Sequence, residues 1–368
     1  MRPPPADPLR VALVGYGVAG AAFHAPFIAA TPGLRLATVV TRDPARRARL
    51  AADHPEARAV ATADALWDAP AAHDVVVIAA PNRAHVPLAR AALDAGLPVV
   101  VDKPLALTAA EGAALVEGAR RRGVLLTVFQ NRRWDGDLLT VRRLLADGAL
   151  GAVARFESRF ERWRPQPKGG WRESGAPEEG GGLLYDLGSH LVDQARHLFG
   201  PVTRVYAEQD RRRGLPVDDD AFVALTHASG VRSHLWMSAV AAQLGPRFRV
   251  LGSRAAYVKH GLDVQEAALR EPAPREPTTG APPPRPGDPG WGAEPEARWG
   301  TLGAGDELRP VPTERGDYGH FYAALAAALR DGAPPPVDPA DAVATLALLD
   351  AARRSAAEGR TVALDPPV

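Results

Sequence analysis

The chain has 368 residues, long for a single core, so two domains are the default expectation. Its 44 lysines and arginines nearly balance 43 aspartates and glutamates, which removes the electrostatic case for nucleic acid or membrane and leaves a small molecule or another copy of the chain as partner. Cysteine is absent, which excludes disulfides, thiolate metal sites and a cysteine nucleophile, and the proline-rich start lacks the apolar stretch of a secretory signal, so a cytoplasmic location is expected.

Past a tail of residues 1–8, residues 10–14 form a short apolar run ending in glycines, the pattern of a buried parallel strand. Residues 18–30 are helical in composition and stop at Pro32 and Gly33; 34–40 is a second apolar strand, followed by an alanine- and arginine-rich helix. Residues 75–80 and 99–101 are further β-branched strands, and between them 85–95 is helical and meets Gly96, a natural C-cap. Thr108 opens another helix with Glu111 in the capping-box position, and 124–129 completes a strand. Strand and helix alternate throughout, so residues 9–129 are expected to form a doubly wound, Rossmann-type parallel sheet.

After Gln130 the period changes. Residues 152–162 alternate, with Ala154, Phe156, Ser158 and Phe160 on one face and Arg155, Glu157, Arg159 and Glu161 on the other. Residues 202–209, 221–227, 231–238, 248–251 and 255–259 read as further strands separated by turn residues such as Ala228, Ser229 and Gly230. Residues 130–368 are therefore expected to be an α+β domain for substrate binding and dimerisation. Its open sheet should be largely antiparallel, with a polar face either exposed or covered by a partner copy. Residues 271–300 are too dense in proline and glycine for a regular element and read as a long loop; 318–330 and 339–359 are Ala/Leu-rich helices. No apolar run is long enough to span a bilayer.

Gly15-Tyr16-Gly17-Val18-Ala19-Gly20 is a complete G-x-G-x-x-G after a strand and before a helix. In that context the first glycine turns the chain, the second lets backbone approach a pyrophosphate, and the third packs helix against strand. An acidic residue at the end of the second strand would bond the ribose 2′-hydroxyl of NAD. Thr41 and Arg42 stand there instead, suited to a 2′-phosphate, so NADP is the expected cofactor; Asp43, one register step on, keeps NAD open.

Further motifs follow in order: Ala80-Pro81-Asn82-Arg83-Ala84-His85, then Asp102-Lys103-Pro104, then the glycine triplet 180–182 leading to Tyr185, Asp186 and His190. With these the chain resembles the Gfo/Idh/MocA oxidoreductase family, whose Glu-Lys-Pro appears here with Asp102 in the first place. Phe23-His24-Ala25-Pro26, Asn131-Arg132-Arg133-Trp134-Asp135 and Gly261-Leu262-Asp263 further resemble a bacterial branch that includes scyllo-inositol dehydrogenases. The resemblance runs from Leu9 to the end. It implies an NAD(P)-dependent dehydrogenase acting on CH–OH groups of a polyol or sugar, with Pro81, Asn82, His85 and Lys103 beside the nicotinamide and a homodimer or homotetramer as the assembly.

The residues suit that chemistry. Lys103 follows a strand at the carboxyl edge of the sheet, where ligands bind. Asp186 and His190, four apart, share a helix face, and the glycine triplet would let a cofactor ring approach closely. As alcohol becomes ketone its hydroxyl proton must leave, and an imidazole of ordinary pKa ~6.5 suits a general base. Lys103 would stabilise developing alkoxide, Asp186 would orient the hydroxyl or the lysine, and the spacing leaves open whether His190 or Lys103 takes the proton. Trp163, Arg164, Trp171 and Arg172, with aromatic faces and planar guanidinium donors, and Tyr185 are candidate substrate contacts, with loop packing or a dimer contact as the competing reading. Arg132, Arg133 and Asp135 read as structural ion pairs and His24 as a packed core residue. Asp218, Asp219 and Asp220 resemble a calcium loop only superficially, and no metal is assigned. Two rival readings share the scaffold: a glycosidase that uses NAD transiently, and a cofactor-binding sensor without turnover.

Overall fold

The computed structural model describes residues 7–170, 173, 179–270 and 284–368. Six strands, β1 (Leu9–Val14), β2 (Leu34–Val40), β3 (Arg58–Val60), β4 (Val75–Ile78), β5 (Val99–Asp102) and β6 (Leu126–Phe129), form the first sheet in the order β3-β2-β1-β4-β5-β6. Every pairing is parallel. Val11, Leu13, Val75, Val77 and Val100 of the central strands are fully buried in one core, and Ala12, Val76, Ile78, Val99 and Val101 in another. Burial on both faces is why these strands are continuous apolar runs rather than alternating ones. Strand order reverses between β1 and β4, which opens a crevice at their carboxyl ends.

The second sheet has nine strands, β7 (Val153–Glu161), β8 (Val202–Asp210), β9 (Asp220–His227), β10 (Arg232–Ser238), β11 (Phe248–Gly252), β12 (Ala256–Lys259), β13 (Gly300–Ala304), β14 (Glu307–Val311) and β15 (Val362–Ala363). Its order is β14-β13-β12-β11-β7-β10-β9-β8-β15, antiparallel except where β7 lies parallel to β10. On the inner face Phe156, Phe160, Val223, Leu235 and Val250 are fully buried. The outer face is less polar than expected: Phe222 and Trp236 rings lie 5.1 Å apart, and the Arg159 guanidinium stacks on Trp236 at 3.9 Å. Glu157, on that same face, is 6% exposed because Arg159 and Arg249 each reach it at 3.1 Å.

The two sheets share cores. Helix Gly319–Asp331 returns to the first sheet, where Tyr318, Phe321, Tyr322 and Leu325 pack with Val11, Leu13 and Phe27. Helix Pro339–Glu358 brings Leu346 and Leu349 into a core common to Leu115 of the first unit and Val205 of the second. Its ends are set by Asp338, whose carboxylate accepts from Ala340 N (2.9 Å), and by Gly359 in the left-handed conformation.

The long loop is a partial correction. Residues 271–283 lie outside the described part, but the remainder is pinned: Trp291 is 5% exposed and donates to Gln265 Oε1 at 3.0 Å. Gly300 already belongs to the β13–β14 hairpin, whose strands the sequence pattern did not show, since little of β14 is buried.

Candidate active site

The glycine motif divides into two structural glycines and one open one. Gly15 (φ +101°) ends β1, and a Cβ there would fall 2.4 Å from the carbonyl oxygen of Ala79. A Cβ on Gly20 would fall 2.0 Å from the carbonyl oxygen of Gly15, so this glycine lets the helix press on its own turn. At Gly17 nothing but the Arg46 guanidinium comes near, at 3.9 Å. The missing side chain there faces a cavity of about 1120 Å³ that also reaches Tyr16, Val18 and Ala19. Six residues from Ala19 to His24 are wound as a π-helix before the α-helix Ala25–Ala30 takes over.

Beyond β2, Thr41 is buried against the cavity and Arg42 is exposed at its rim. Asp43 lines the cavity too, and also serves locally. Its carboxylate caps helix Pro44–Asp53 by accepting from Arg46 N at 3.1 Å, and lies 3.7 Å from the Arg46 guanidinium. Arg46, which the sequence reading did not single out, lines the cavity with Arg42. Its signal was its place one turn into that helix.

Across the crevice Pro81 and Asn82 line the cavity, and Asn82 Nδ2 donates to the carbonyl of Gly180 at 3.1 Å. His85 does not line it. The ring is 1% exposed and lies between two backbone carbonyls, Pro104 O at 2.7 Å from Nδ1 and Ala80 O at 2.8 Å from Nε2. Burial lowers its pKa against the pull of these carbonyls, and its buried position between them braces the two loops beside the crevice. That corrects its expected place beside the nicotinamide.

Lys103, Asp186 and His190 come together on one wall. Lys103 Nζ donates to Asp186 Oδ1 at 3.0 Å and to the Asp186 carbonyl at 2.6 Å, joining the end of β5 to the turn Leu184–Gly188. The Lys103–Pro104 peptide is cis. Burial raises the Asp102 carboxyl, but His24 opposite it at 3.8 Å and the Lys103 ammonium more than reverse this, leaving it below the usual carboxylate range. His24 is fully buried with its Nδ1 2.5 Å from the Tyr322 hydroxyl. His190 opens helix Ser189–Phe199, is 5% exposed, and its Nδ1 has no hydrogen-bond partner among the described residues. Burial, then the positive charges of Lys103, Arg132, Arg247 and Arg162, push its pKa well below the ordinary value. The imidazole is therefore neutral at neutral pH.

The glycine triplet has a different purpose from the one expected. A Cβ on Gly180 would strike Leu107 and Asn82, and one on Gly182 (φ +87°) would fall 2.1 Å from Asp218 Oδ1. These glycines make room for protein side chains that hold the turn carrying Asp186; Asp218 itself accepts from Leu184 N at 2.7 Å. Its neighbour Asp219 is matched by Arg213 at 3.0 Å, a structural pair rather than part of a metal loop.

Two proposed substrate contacts are corrected. Trp163 is 56% exposed and away from the cavity, because on an extended segment Arg162 and Arg164 take the inward positions and the residue between them faces out. Tyr185 is 2% exposed, and its hydroxyl donates to Leu107 O at 2.8 Å and meets Arg353 at 3.2 Å. A helical turn that points Asp186 into the cavity rotates Tyr185 away from it. Trp171 and Arg172 lie outside the described residues. Arg133 pairs with Asp193 (2.6 Å) and Asp341 (3.1 Å) and does not line the cavity, whereas Arg132 reaches both its partners and the cavity. Arg162 and Glu266, also on the cavity wall, were not visible as site residues, since their neighbours are distant in sequence.

Comparison with known proteins agrees with this geometry. Residues 9–130 match the oxidoreductase family with an NAD-binding Rossmann fold, and residues 138–258 match the GFO/IDH/MocA C-terminal domain. An uncharacterized oxidoreductase of Escherichia coli (strain K12), YdgJ, is 39% identical over 97% of this chain and 99% of its own. The scyllo-inositol 2-dehydrogenase (NADP(+)) IolW of Bacillus subtilis (strain 168) is 31% identical over 98% and 97%. The solved structure of the Bacillus subtilis protein YvaA has a TM-score of 0.88 at 31% identity, covering 97% of this chain and 99% of that one. With a parallel dinucleotide-binding sheet, an open second sheet and whole-length relatives in agreement, the chain belongs to the Gfo/Idh/MocA oxidoreductases.

Proposed function

We propose that this oxidoreductase is an NADP-preferring dehydrogenase that oxidises a secondary alcohol of a polyol or sugar, or reduces the matching ketone. The observation that carries the reading is the junction of Lys103, Asp186 and His190 on the cavity wall that continues from the glycine turn. The residues present fit a dinucleotide: Gly17 leaves backbone open to a pyrophosphate, and Thr41, Arg42 and Arg46 offer a hydroxyl and two guanidinium groups to a 2′-phosphate. The relative IolW carries NADP(+) in its name, which supports the same preference.

The bound nicotinamide supplies the hydride acceptor. Lys103 donates to Asp186 and has a further hydrogen for the substrate oxygen, where it stabilises developing negative charge. Asp186 holds that ammonium in place from both its carboxylate and its carbonyl. His190 takes the hydroxyl proton, since it is neutral and on the cavity wall, whereas Lys103 is already a donor. Burial, then the surrounding cations, disfavours the imidazolium, so it gives the proton up again readily.

The test is steady-state formation of reduced nicotinamide, offering NADP and NAD separately against inositols and aldoses. Turnover with NADP is expected, and Lys103→Ala or His190→Ala should lower kcat by about 10²-fold or more while nucleotide affinity stays near wild type. Unchanged turnover in both variants would sink the assignment.

A further inference from the structure

Where the alcohol binds in this reading, the described residues of the cavity carry more positive charge than their carboxylates answer. Glu266, on helix Val264–Arg270, is approached by three guanidinium groups: it hydrogen-bonds to Arg132, lies 2.9 Å from Arg270 and lies 3.8 Å from Arg162. The other partner of Arg132 is Asp135, 3.3 Å away, which also accepts from the Tyr318 hydroxyl at 2.6 Å. Among the described residues, two carboxylates thus face the three cations Arg132, Arg162 and Arg270. Arg213 does not help, being matched by Asp219 (3.0 Å) and Glu173 (3.1 Å), and Asp186 is engaged with Lys103.

Arg162 and Arg164 are the inward residues of the segment after β7, pinned by Arg162 N donating to Ser238 O (2.8 Å) and Arg164 N to Ala239 O (2.7 Å). The Arg162 side chain is 21% exposed and its guanidinium lies over the Phe160 ring at 4.7 Å. Among the described residues, no acceptor takes a hydrogen bond from the side chain of either arginine. Burial first, then the adjacent Arg164, bring the Arg162 pKa down to about 10, against the opposing pull of Glu266 and Asp186. Arg162 also contributes to the depressed pKa of His190, which places it within electrostatic reach of the reacting group.

We propose that the substrate is an anion, a polyol or sugar bearing a carboxylate or phosphate that Arg162 and Arg164 bind beside Lys103 and His190. The inference rests on the dehydrogenase reading above and narrows its substrate class. A planar guanidinium presents two parallel N–H donors to either oxyanion, and a desolvated site strengthens both bonds.

The full-length protein saturated with NADP+ is titrated calorimetrically with gluconate, glucose 6-phosphate, glucose and myo-inositol, as wild type, Arg162→Gln, Arg162→Lys and Arg164→Gln. At least one acid should bind on the order of tenfold tighter than the neutral ligands. Arg162→Gln should erase most of that difference and Arg162→Lys restore part of it, with NADP+ affinity unchanged; Arg164→Gln supplies the same comparison should the first variant fold poorly. Preference for gluconate alone identifies a carboxylate, and for glucose 6-phosphate alone a phosphate. Failure of both acids to bind more tightly than the neutral ligands, or a preference indifferent to both arginines, overturns the proposal. Turnover of neutral polyols in that case leaves the dehydrogenase reading standing. Arginine-dependent anion binding without reduction of the nucleotide by any polyol or sugar acid would do the reverse.

Discussion

His190 illustrates how a residue's surroundings, rather than its type, set its chemistry. Its ordinary pKa would put it half-protonated near pH 6.5, but burial and four neighbouring cations lower it well below that value. A base works only when deprotonated, so the acid limb of kcat/KM for alcohol oxidation should fall below pH 6.5, with a flat profile through neutrality. A limb centred at or above that pH in a pH–rate series would remove His190 as the base. Arg42 and Arg46 make a second residue-scale prediction: alanine at both should weaken NADP by about tenfold or more and leave NAD nearly unchanged, read as the ratio of kcat/KM values. Arg42 was legible from its place after a strand, but Arg46 was not. Nor could spacing tell that Trp163 faces solvent between two inward arginines, because the phase of a short irregular segment is set by what it packs against.

At the scale of elements, the glycine turn separates folding from binding. Gly20→Ala drives a Cβ onto the carbonyl of Gly15 and should destabilise the protein by about 1–3 kcal/mol, seen as a lowered Tm. Gly17→Ala meets only the end of a flexible arginine, so Tm should hold while nucleotide affinity drops. Equal Tm losses in the two variants would mean that Gly17 is structural as well. The helix cap at Thr108 shows how far local signals reach. Its hydroxyl accepts from Glu111 N at 3.2 Å as the capping box requires, but the Glu111 carboxylate reaches back to Leu107 N rather than to Thr108 N. Strands β1, β2, β4 and β5 stood out as apolar runs because they are buried on both faces. β14 did not, since most of its residues are exposed and its pairing partner alone makes it a strand.

For the whole molecule, burial of neutral histidines sets the pH dependence of stability. His73, His85, His190 and His227 have lowered pKa values, in each case first through burial. Unfolding frees them to titrate near pH 6.5, so the unfolded chain binds more protons and stability present above that pH is lost as acid is added. Asp263 works in the opposite direction: burial raises it to about 6, so the folded state takes up its proton first. Asp135, Asp218 and Asp350 are raised by burial as well, but His54, His197 and His234 join the lowered histidines, and seven of these against four carboxyls leave a net loss, so Tm should be lower at pH 5 than at pH 7.5 in thermal melts. A flat or rising Tm on acidification would contradict it. What the sequence by itself determined was everything carried by short-range periodicity and spacing. That includes the alternating strands and helices of residues 9–129, the glycine turn, the changed period after Gln130, and Asp186 and His190 on one helix face. Only the tertiary structure decided that Lys103 meets Asp186 across 83 positions of chain, that Gly182 yields space to Asp218, and that three arginines converge on Glu266. Such contacts join residues far apart in sequence, and their energies depend on shared burial, which no local pattern encodes.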